Sequence, residues 1–146
     1  MLFNLSRRAP DGGEIEIWGD GQQTRSYCFV ADCVEGIYRL MHSDFHDPLN
    51  LGQDRLVTIN QLIDMVEAIA GKKPRRRYDL TKPQGVRGRN ADLELMKKAF
   101  GWEPKFSLEE GLTITYRWIE AQLRLTSRLP LESPLGGQQS AAPAGR

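Results

Sequence analysis

The stretch EIEIWGDGQQTRSYCFV, residues 14–30, indicates the type of fold because its pattern changes repeatedly over a short length. Residues 14–18 alternate polar and apolar side chains, which predicts a half-buried β-strand. Residues 19–21, Gly-Asp-Gly, favour a turn that ends this strand. Residues 26–30 then form a second short run with β propensity. The stretch therefore predicts a strand, a turn and a second strand.

Helix starts are predicted where an Asp, Thr or Ser is followed three residues later by Glu or Gln, the capping-box pattern. Such starts lie at Asp32, Thr58 and Ser107, and a further short helix is predicted at residues 92–100. Apolar side chains recur at helical spacing after the three starts: Val34, Ile37, Tyr38 and Met41; Ile59, Leu62, Ile63, Val66 and Ile69; Leu108, Leu112, Ile119 and Leu123. Additional short strands are predicted at residues 49–52, 56–57 and 75–80.

These elements predict a mixed α/β (α+β) fold with about four helices and a small, short-stranded sheet. The 146 residues suit one domain. Residues 1–125 are expected to form that domain. Residues 126–146 are rich in Pro, Gly, Ser and Ala without periodicity, which predicts a disordered tail.

The composition excludes several classes of protein. The 20 Lys and Arg residues are balanced by 19 Asp and Glu residues, whereas proteins that coat nucleic acids carry a basic excess. The sequence has no apolar run long enough for a membrane span or for a secretory signal. Cys28 and Cys33 form no disulfide framework and no zinc set. The sequence therefore predicts a cytoplasmic protein without membrane, nucleic-acid or metal partners.

Three apparent motifs have a simpler explanation than a functional site. Tyr78 and Lys82 have the Tyr-x-x-x-Lys spacing of a dehydrogenase acid–base pair, but they lie between prolines in a strand-like segment. His42 and His46 have metal-pair spacing without a suitable third ligand, which favours a solvated helix end. Residues 72–77, KKPRRR, lack the aromatics of a nucleic-acid surface, so a solvated strand edge is the preferred interpretation.

Two loops combine glycine with arginine and are candidates for binding an anion. Residues 19–25, GDGQQTR, form a turn between two predicted strands. Residues 85–90, GVRGRN, lie just before the predicted helix at 92–100. Glycine lets backbone N–H groups approach an anion, an arginine fork binds phosphate oxygens, and helix N-termini attract negative charge. Each loop alone indicates no more than a possible phosphate site.

Taken together and in order, several segments resemble the extended short-chain dehydrogenase/reductase family of nucleotide-sugar enzymes. The resemblance spans roughly residues 3–122 and is closest to its GDP-mannose 3,5-epimerase branch. The matching segments are residues 17–27, IWGDGQQTRSY; 32–36, DCVEG; 49–52, LNLG; 85–90, GVRGRN; 101–104, GWEP; and 110–116, EGLTITY.

The resemblance implies a role for five residues of the chain in binding a GDP-mannose-like nucleotide sugar. Gln23, Thr24 and Arg25 stand in the family's nucleotide-sugar-binding turn, and Arg89 stands where a diphosphate-binding arginine is expected. Arg8 stands where the epimerase has a lysine. Guanidinium groups suit a pyrophosphate ligand because they bind its oxygens in bidentate fashion.

The same resemblance implies an NAD-binding Rossmann domain, a catalytic Tyr-Lys pair and a homodimer, yet the chain has no Gly-rich dinucleotide fingerprint and no helical Tyr-x-x-x-Lys. The chain thus resembles the C-terminal substrate-binding portion of such an enzyme with the Rossmann core absent, and it is expected to be inactive alone, with no catalytic residue of its own. Two alternatives remain: a portion of a UDP- or dTDP-sugar epimerase or dehydratase, and a non-catalytic module that docks on a full-length relative or on the missing Rossmann half.

Overall fold

A computed structural model describes residues 13–126 of the chain. It has a mixed α/β fold with four helices and short strands in the described part, as the sequence predicts. In chain order the elements are β1 Glu14–Trp18, β2 Thr24–Arg25, α1 Val30–Met41, β3 Val57–Thr58, α2 Ile59–Ala70, β4 Arg75–Asp79, α3 Glu94–Phe100 and α4 Leu108–Thr126. None of these helices is long and apolar enough to cross a membrane. The predicted tail lies almost entirely outside the described residues.

The strands form two small sheets. Strand β1 pairs in parallel with β4, with Glu14 opposite Arg75 and Trp18 opposite Asp79. Strand β2 pairs antiparallel with β3 over two residues. The strands predicted at residues 26–30 and 49–52 are wrong, because neither segment has a strand partner among the described residues. Short β-prone runs form strands only where a neighbouring strand supplies the hydrogen bonds.

The main core lies between the β1–β4 sheet and two helices. Ile15 and Ile17 point to one side of β1 and are buried, as the alternation predicts. They pack with Ile63 and Val66 of α2 and with Tyr116 of α4. The capping box of α2 forms as predicted, since the Thr58 hydroxyl accepts a hydrogen bond from the backbone of Gln61 and the Gln61 side chain accepts one from the backbone of Thr58.

The basic run at 72–77 ends on β4, where Arg75 and Arg77 are exposed, as expected for the predicted solvated strand edge. Its arginines lie on β4 and pair with carboxylates: Arg75 and Arg77 with Glu14, Arg77 also with Glu16, and Arg76 with Asp64 and Glu67. Burial by itself would lower the pKa of Arg76, but the two carboxylates outweigh it and the pKa rises. The positive charge of β4 is thus neutralised by β1 and α2.

Asp32 does not cap a helix, contrary to the sequence prediction. Helix α1 begins two residues earlier, at Val30, without a side-chain cap. The Asp32 carboxylate, 3% exposed, instead accepts hydrogen bonds of 3.0 Å from the backbone nitrogens of Lys105 and Phe106. Asp32 therefore fastens the segment before α4 to the first turn of α1. The local sequence around Asp32 does not indicate hydrogen-bond partners so far along the chain.

The apolar stripe of α1 is uncovered in the described part of the chain. Val30, Val34, Ile37, Tyr38 and Met41 are 65%, 60%, 46%, 58% and 76% exposed. They recur at helical spacing, so they form one continuous apolar surface, which we call the α1 face. Opposite to it, Asp32 and Gly36 are buried against the rest of the protein. An apolar surface of this size is characteristic of an interaction site or an aggregation hazard.

The exposed α1 face predicts that the isolated chain self-associates at micromolar concentration or unfolds in a marginal thermal transition. Sedimentation and thermal melts over a range of concentrations measure both properties. A sharp melt above about 65 °C that does not depend on concentration would contradict this expectation, because mesophile domains usually melt at or below that temperature.

Asp32→Ala should lower the free energy of unfolding by about 2 kcal/mol, because it leaves two partly buried backbone N–H groups without their buried acceptor. Asp32→Asn should recover part of the loss, since its amide retains one acceptor oxygen. Urea denaturation measures both variants. Asp47→Ala, at an exposed aspartate, is the matched control and should change stability little. Equal effects of Asp32→Ala and Asp47→Ala would show that the Asp32 hydrogen bonds do not stabilise the fold.

Candidate functional site

The turn after β1 can form only with glycine at two positions. Gly19 and Gly21 have φ values of 81° and 70°, in the left-handed region that side chains disfavour. A Cβ atom at Gly19 would lie 2.3 Å from Cγ of Gln84. Within the turn, Oδ1 of Asp20 accepts a hydrogen bond of 2.9 Å from the backbone nitrogen of Gln22. The glycines therefore allow the turn to approach the segment around residue 84.

Gln23 supports this turn from inside. Its side chain is 8% exposed, and its Nε2 donates a 3.0 Å hydrogen bond to the carbonyl oxygen of Trp18. This contact fixes the amide orientation and leaves Oε1 buried with no hydrogen-bond partner in the described structure. The backbone carbonyl of Gln23 accepts from Ile59, at the start of α2. Gln23 thus has the geometry of a residue that positions the turn.

Thr24 and Arg25 are held against the loop of residues 84–90, which we call the 84–90 loop. The backbone nitrogen of Thr24 donates to the carbonyl oxygen of Arg87 at 2.8 Å. Nη1 of Arg25 donates to the carbonyl oxygens of Thr24 and Val86, at 2.6 and 2.7 Å. The structure thereby joins the two glycine–arginine segments that the sequence singled out separately.

Gly88 allows the 84–90 loop to approach Thr24 closely. A Cβ atom at Gly88 would lie 2.8 Å from the hydroxyl oxygen of Thr24. One residue further, the Arg89 side chain is exposed and takes part in none of the ion pairs found within residues 13–126. The loop is fastened just beyond Arg89, where the backbone of Ala91 donates to the carbonyl of Gln53. Arg89 is therefore a charged side chain on a loop anchored on both sides.

Arg87 and Asp20 add an ionic contact between turn and loop that sequence reasoning missed. Nη1 of Arg87 lies 3.3 Å from Oδ2 of Asp20. The pKa of Asp20 is lowered first by the hydrogen bond from the backbone of Gln22 and then by Arg87. The sequence predicts only a turn at Asp20, because nothing near it indicates a partner so far along the chain.

The start of the helix after the loop is partly occupied by the protein's own carboxylate, and its role in binding an anion stays a prediction. Helix α3 begins at Glu94 and is a seven-residue helix, and its first turn is already acidic. The backbone nitrogen of Glu94 donates to the carboxylate of Asp92 at 2.9 Å. The N–H group of Glu94, which could otherwise attract a phosphate, thus donates to the protein's own carboxylate. The arginines and the turn remain as the cationic elements of the site.

Two cavities adjoin the turn, and Tyr27 lines both of them. One, of about 400 Å³, lies along β1 beside Trp18, Gln23 and Tyr27. The other, of about 310 Å³, lies between residues 27–30 and the first half of α4. Burial raises the pKa of Tyr27, and nearby Arg25 opposes the rise. Tyr27 ends one of the segments that resemble the family, but its local sequence does not predict its position between two cavities.

Tyr78 and Lys82 lie near the turn, but they do not lie on one helix. Tyr78 lies on β4, where its hydroxyl donates to Asn60, and Lys82 lies over the ring of Trp18. The strand geometry confirms that these two residues are not a helical acid–base pair. Within residues 13–126, no group of three or more His, Cys, Asp or Glu residues is placed to hold a metal. Arg8 lies outside the described residues, so its role remains a prediction.

The fold with this turn and loop is that of part of an NAD-dependent nucleotide-sugar epimerase or dehydratase of the extended short-chain dehydrogenase/reductase class. UDP-glucose 4-epimerase from Thermotoga maritima, solved with UDP-glucose, matches 84% of this chain and 38% of its own chain with a TM-score of 0.72 and 34% identity. A dTDP-glucose 4,6-dehydratase from Bacillus anthracis, solved with NAD, matches 85% and 40% with a TM-score of 0.72 and 25% identity.

The sequence comparisons give the family. The pattern of the GDP-mannose 4,6 dehydratase family matches residues 7–115, and the chain belongs to this family. GDP-mannose 3,5-epimerase of Arabidopsis thaliana is 48% identical over 109 residues, which are 75% of this chain and 29% of that protein. A dTDP-4-dehydro-6-deoxy-D-allose reductase of Streptomyces is 38% identical over 124 residues, 85% of this chain and 38% of that protein. The chain therefore spans less than half the length of these relatives.

Arg87→Gln should move the pKa of Asp20 part of the way back to its ordinary value, since the hydrogen bond from Gln22 remains. Carbon-13 NMR titration of the Asp20 carboxyl measures this shift. Because the pKa is lowered in the folded state, the stabilisation is present above the unfolded pKa of about 3.9 and is lost as the pH falls through the lowered value. Arg117→Gln on α4 is the matched control, and an unchanged pKa in Arg87→Gln would contradict the contact.

Proposed function

We propose that this chain is the C-terminal substrate-binding portion of a nucleotide-sugar epimerase acting on GDP-mannose, and that the turn and the 84–90 loop hold the diphosphate. The observation that carries the proposal is the contact of Arg25 with the carbonyl oxygen of Val86, 61 residues away in sequence. It supports one composite cationic site. If the two loops had unrelated roles, their residues would not be expected to contact each other in this way.

The proposed roles follow from the geometry of each side chain. Nη1 of Arg25 is bonded to carbonyl oxygens, which fixes the planar fork while other N–H groups remain for phosphate oxygens. Arg89 supplies the second guanidinium from the exposed part of the loop. Thr24 contributes its hydroxyl, and Gln23 supports the turn and is proposed as a further ligand contact. Arg8 is proposed as a further contact on the strength of the resemblance alone.

The choice of GDP-mannose is supported by the relatives. The Arabidopsis GDP-mannose 3,5-epimerase is 48% identical, against 38% for the dTDP-sugar reductase and 34% for the UDP-glucuronate 4-epimerase of Thermodesulfobacterium geofontis. The arginines are proposed to bind only the diphosphate, which GDP-, UDP- and dTDP-sugars share. The nucleotide preference is therefore proposed from similarity, and the diphosphate site from geometry.

The described residues do not fit the NAD that related structures hold. A dinucleotide site needs a strand followed by a glycine-rich turn and a helix whose N-terminus meets the pyrophosphate. Here β1 is followed by the turn and by β2, and α1 begins only at Val30. We therefore assign substrate binding to the chain and derive no hydride-transfer step from it. Residues 1–125 are proposed as the binding domain, with 126–146 as an appended tail.

Arg25→Ala or Arg89→Ala should weaken the affinity for GDP-mannose roughly 10- to 150-fold, since a charge-assisted hydrogen bond contributes about 1.5–3 kcal/mol. Calorimetric titration measures this in a graft, the Arabidopsis epimerase with its matched segment replaced by residues 7–126 of this chain. Arg25→Lys should recover only part of the affinity because lysine lacks the planar fork.

The matched control is Arg117→Ala, an exposed arginine of α4 that is remote in sequence from both loops. It should leave the affinity for GDP-mannose within about twofold of the unmodified graft, as expected for a surface substitution. Unchanged affinity in both Arg25→Ala and Arg89→Ala would overturn the diphosphate site. A loss in Arg117→Ala as large as in Arg25→Ala would show that binding follows the overall charge of the protein.

A further inference from the structure

The two cysteines of the chain lie on either side of the start of helix α1. The helix begins at Val30, and the residue before it, Phe29, has the extended backbone of an N-cap. Cys28 therefore directly precedes the N-cap, and Cys33 is the fourth residue of the helix. Side chains at these two positions often pack against each other, an arrangement called the hydrophobic staple. The start of α1 thus favours contact between the two thiol groups.

Both cysteines donate a hydrogen bond to the same carbonyl oxygen, that of Phe29. Sγ of Cys28 lies 3.6 Å from this oxygen, and the backbone nitrogen of Cys33 lies 3.1 Å from it. The sulfur of Cys28 is therefore within the span of two hydrogen bonds from the backbone of Cys33. A disulfide requires Cβ atoms about 3.5–4.5 Å apart, and the two residues start from a separation that short side chains can close.

The backbone between the two cysteines is held in place by the segment before α4 and by α4 itself. The ring of Phe29 packs against that of Phe106, with centroids 4.8 Å apart. A Cβ atom at Gly111 of α4 would lie 3.1 Å from Cδ2 of Phe29, so glycine leaves the space that this ring fills. Asp32 is fastened to the backbone of Lys105 and Phe106. A fixed backbone raises the effective concentration of one thiol toward the other.

A small oxidant can reach this pair of thiols. Both are half-buried, and Cys28 lines the cavity of about 310 Å³ between residues 27–30 and α4. One water molecule occupies roughly 30 Å³, so a peroxide fits into this cavity. Burial raises the pKa of Cys28, and the charges of Cys33 and Asp32 raise it further. The influence of Cys33 agrees with a short distance between the thiols, and the raised pKa of Cys28 suits the later step of an oxidation.

We propose that Cys28 and Cys33 form a reversible modification site, where a hydroperoxide joins them in a disulfide across the start of α1. The Cys33 thiolate attacks one peroxide oxygen, the O–O bond breaks, and a sulfenic acid and a first water molecule form. The Cys28 thiolate then attacks the sulfenic sulfur, the S–S bond forms, the S–O bond breaks, and a second water leaves. Two thiol protons and two electrons pass to the peroxide. A dithiol reductant restores both thiols by exchange.

The simpler interpretation is that both cysteines act as small apolar side chains of the staple. It predicts no preference for a bond between them. The disulfide closes only a short ring, which adds little stability, so it is a modification and not a structural framework. The proposal does not depend on the proposed function, because none of the residues assigned to the diphosphate takes part in it.

Mass spectrometry of the dilute full chain after treatment with hydrogen peroxide tests the modification. We expect a monomer that has lost two hydrogen atoms, takes up no thiol-alkylating reagent and regains both thiols with dithiothreitol. Chymotrypsin cleaves after Phe29, between the cysteines, so the fragments carrying Cys28 and Cys33 should stay joined until they are reduced. A monomer with sulfinic acid and no cross-link, or a cross-link only between two chains, would overturn the proposal.

A relocated thiol provides the matched control. Cys33→Ser with Val34→Cys moves the second thiol by one residue to a position that is 60% exposed and outside the staple. In the folded protein this variant should close its disulfide about tenfold more slowly than the natural chain. In concentrated urea the two rates should agree within about twofold, because nearly equal chain lengths separate the thiols. Circular dichroism checks that the variant folds. Equal rates in the folded proteins, or a difference that persists in urea, would show that the start of α1 does not direct the bond.

Discussion

A hydrogen bond of 2.8 Å from the backbone nitrogen of Thr24 to the carbonyl oxygen of Arg87 joins two segments that are far apart in sequence. The proposed site depends on this contact, because it brings the turn after β1 against the 84–90 loop. The β1–β4 ladder below the contact fixes where each segment starts: Gly19 follows β1, and its backbone nitrogen donates to the carbonyl oxygen of Asp79 at the end of β4. A short parallel sheet thus positions both arginine-bearing segments.

The arginines of β4 and the arginine beside the turn have different kinds of partner. On β4, Arg75, Arg76 and Arg77 are paired with carboxylates of β1 and α2, so their charge is balanced within the protein. Beside the turn, Arg25 is held by carbonyl oxygens, which orient a guanidinium without neutralising it. The number of arginines in the sequence does not distinguish these two groups. Their hydrogen-bond and ion-pair partners in the structure do.

Local patterns in the sequence predicted the elements whose signals are local. The alternation at 14–18, the capping box at Thr58 and the helical apolar spacing of α2 correspond to observed elements because each depends on residues a few positions apart. The strand predicted at 26–30 and the cap predicted at Asp32 failed because their outcome depends on distant segments. The spacing of apolar residues in α1 predicts one apolar face, but spacing alone does not predict that this face is exposed.

The candidate site was predictable only in part for the same reason. Glycine and arginine content indicates the segments at Arg25 and at residues 85–90 separately, and the resemblance implies a common ligand for them. Their contact, the Asp20–Arg87 pair and the position of Tyr27 between two cavities required the fold. The central claim is therefore the composite nature of the site, in which one anion meets both segments.

NMR of the arginine side-chain Nε–Hε groups during titration with GDP tests that claim most directly, because each arginine reports on its own surroundings. The account predicts that the Arg25 and Arg89 resonances shift together with a single dissociation constant, while the Arg117 resonance stays in place. Shifts of Arg25 without Arg89, or of all three arginines in proportion to ionic strength, would contradict a site built from the turn and the 84–90 loop.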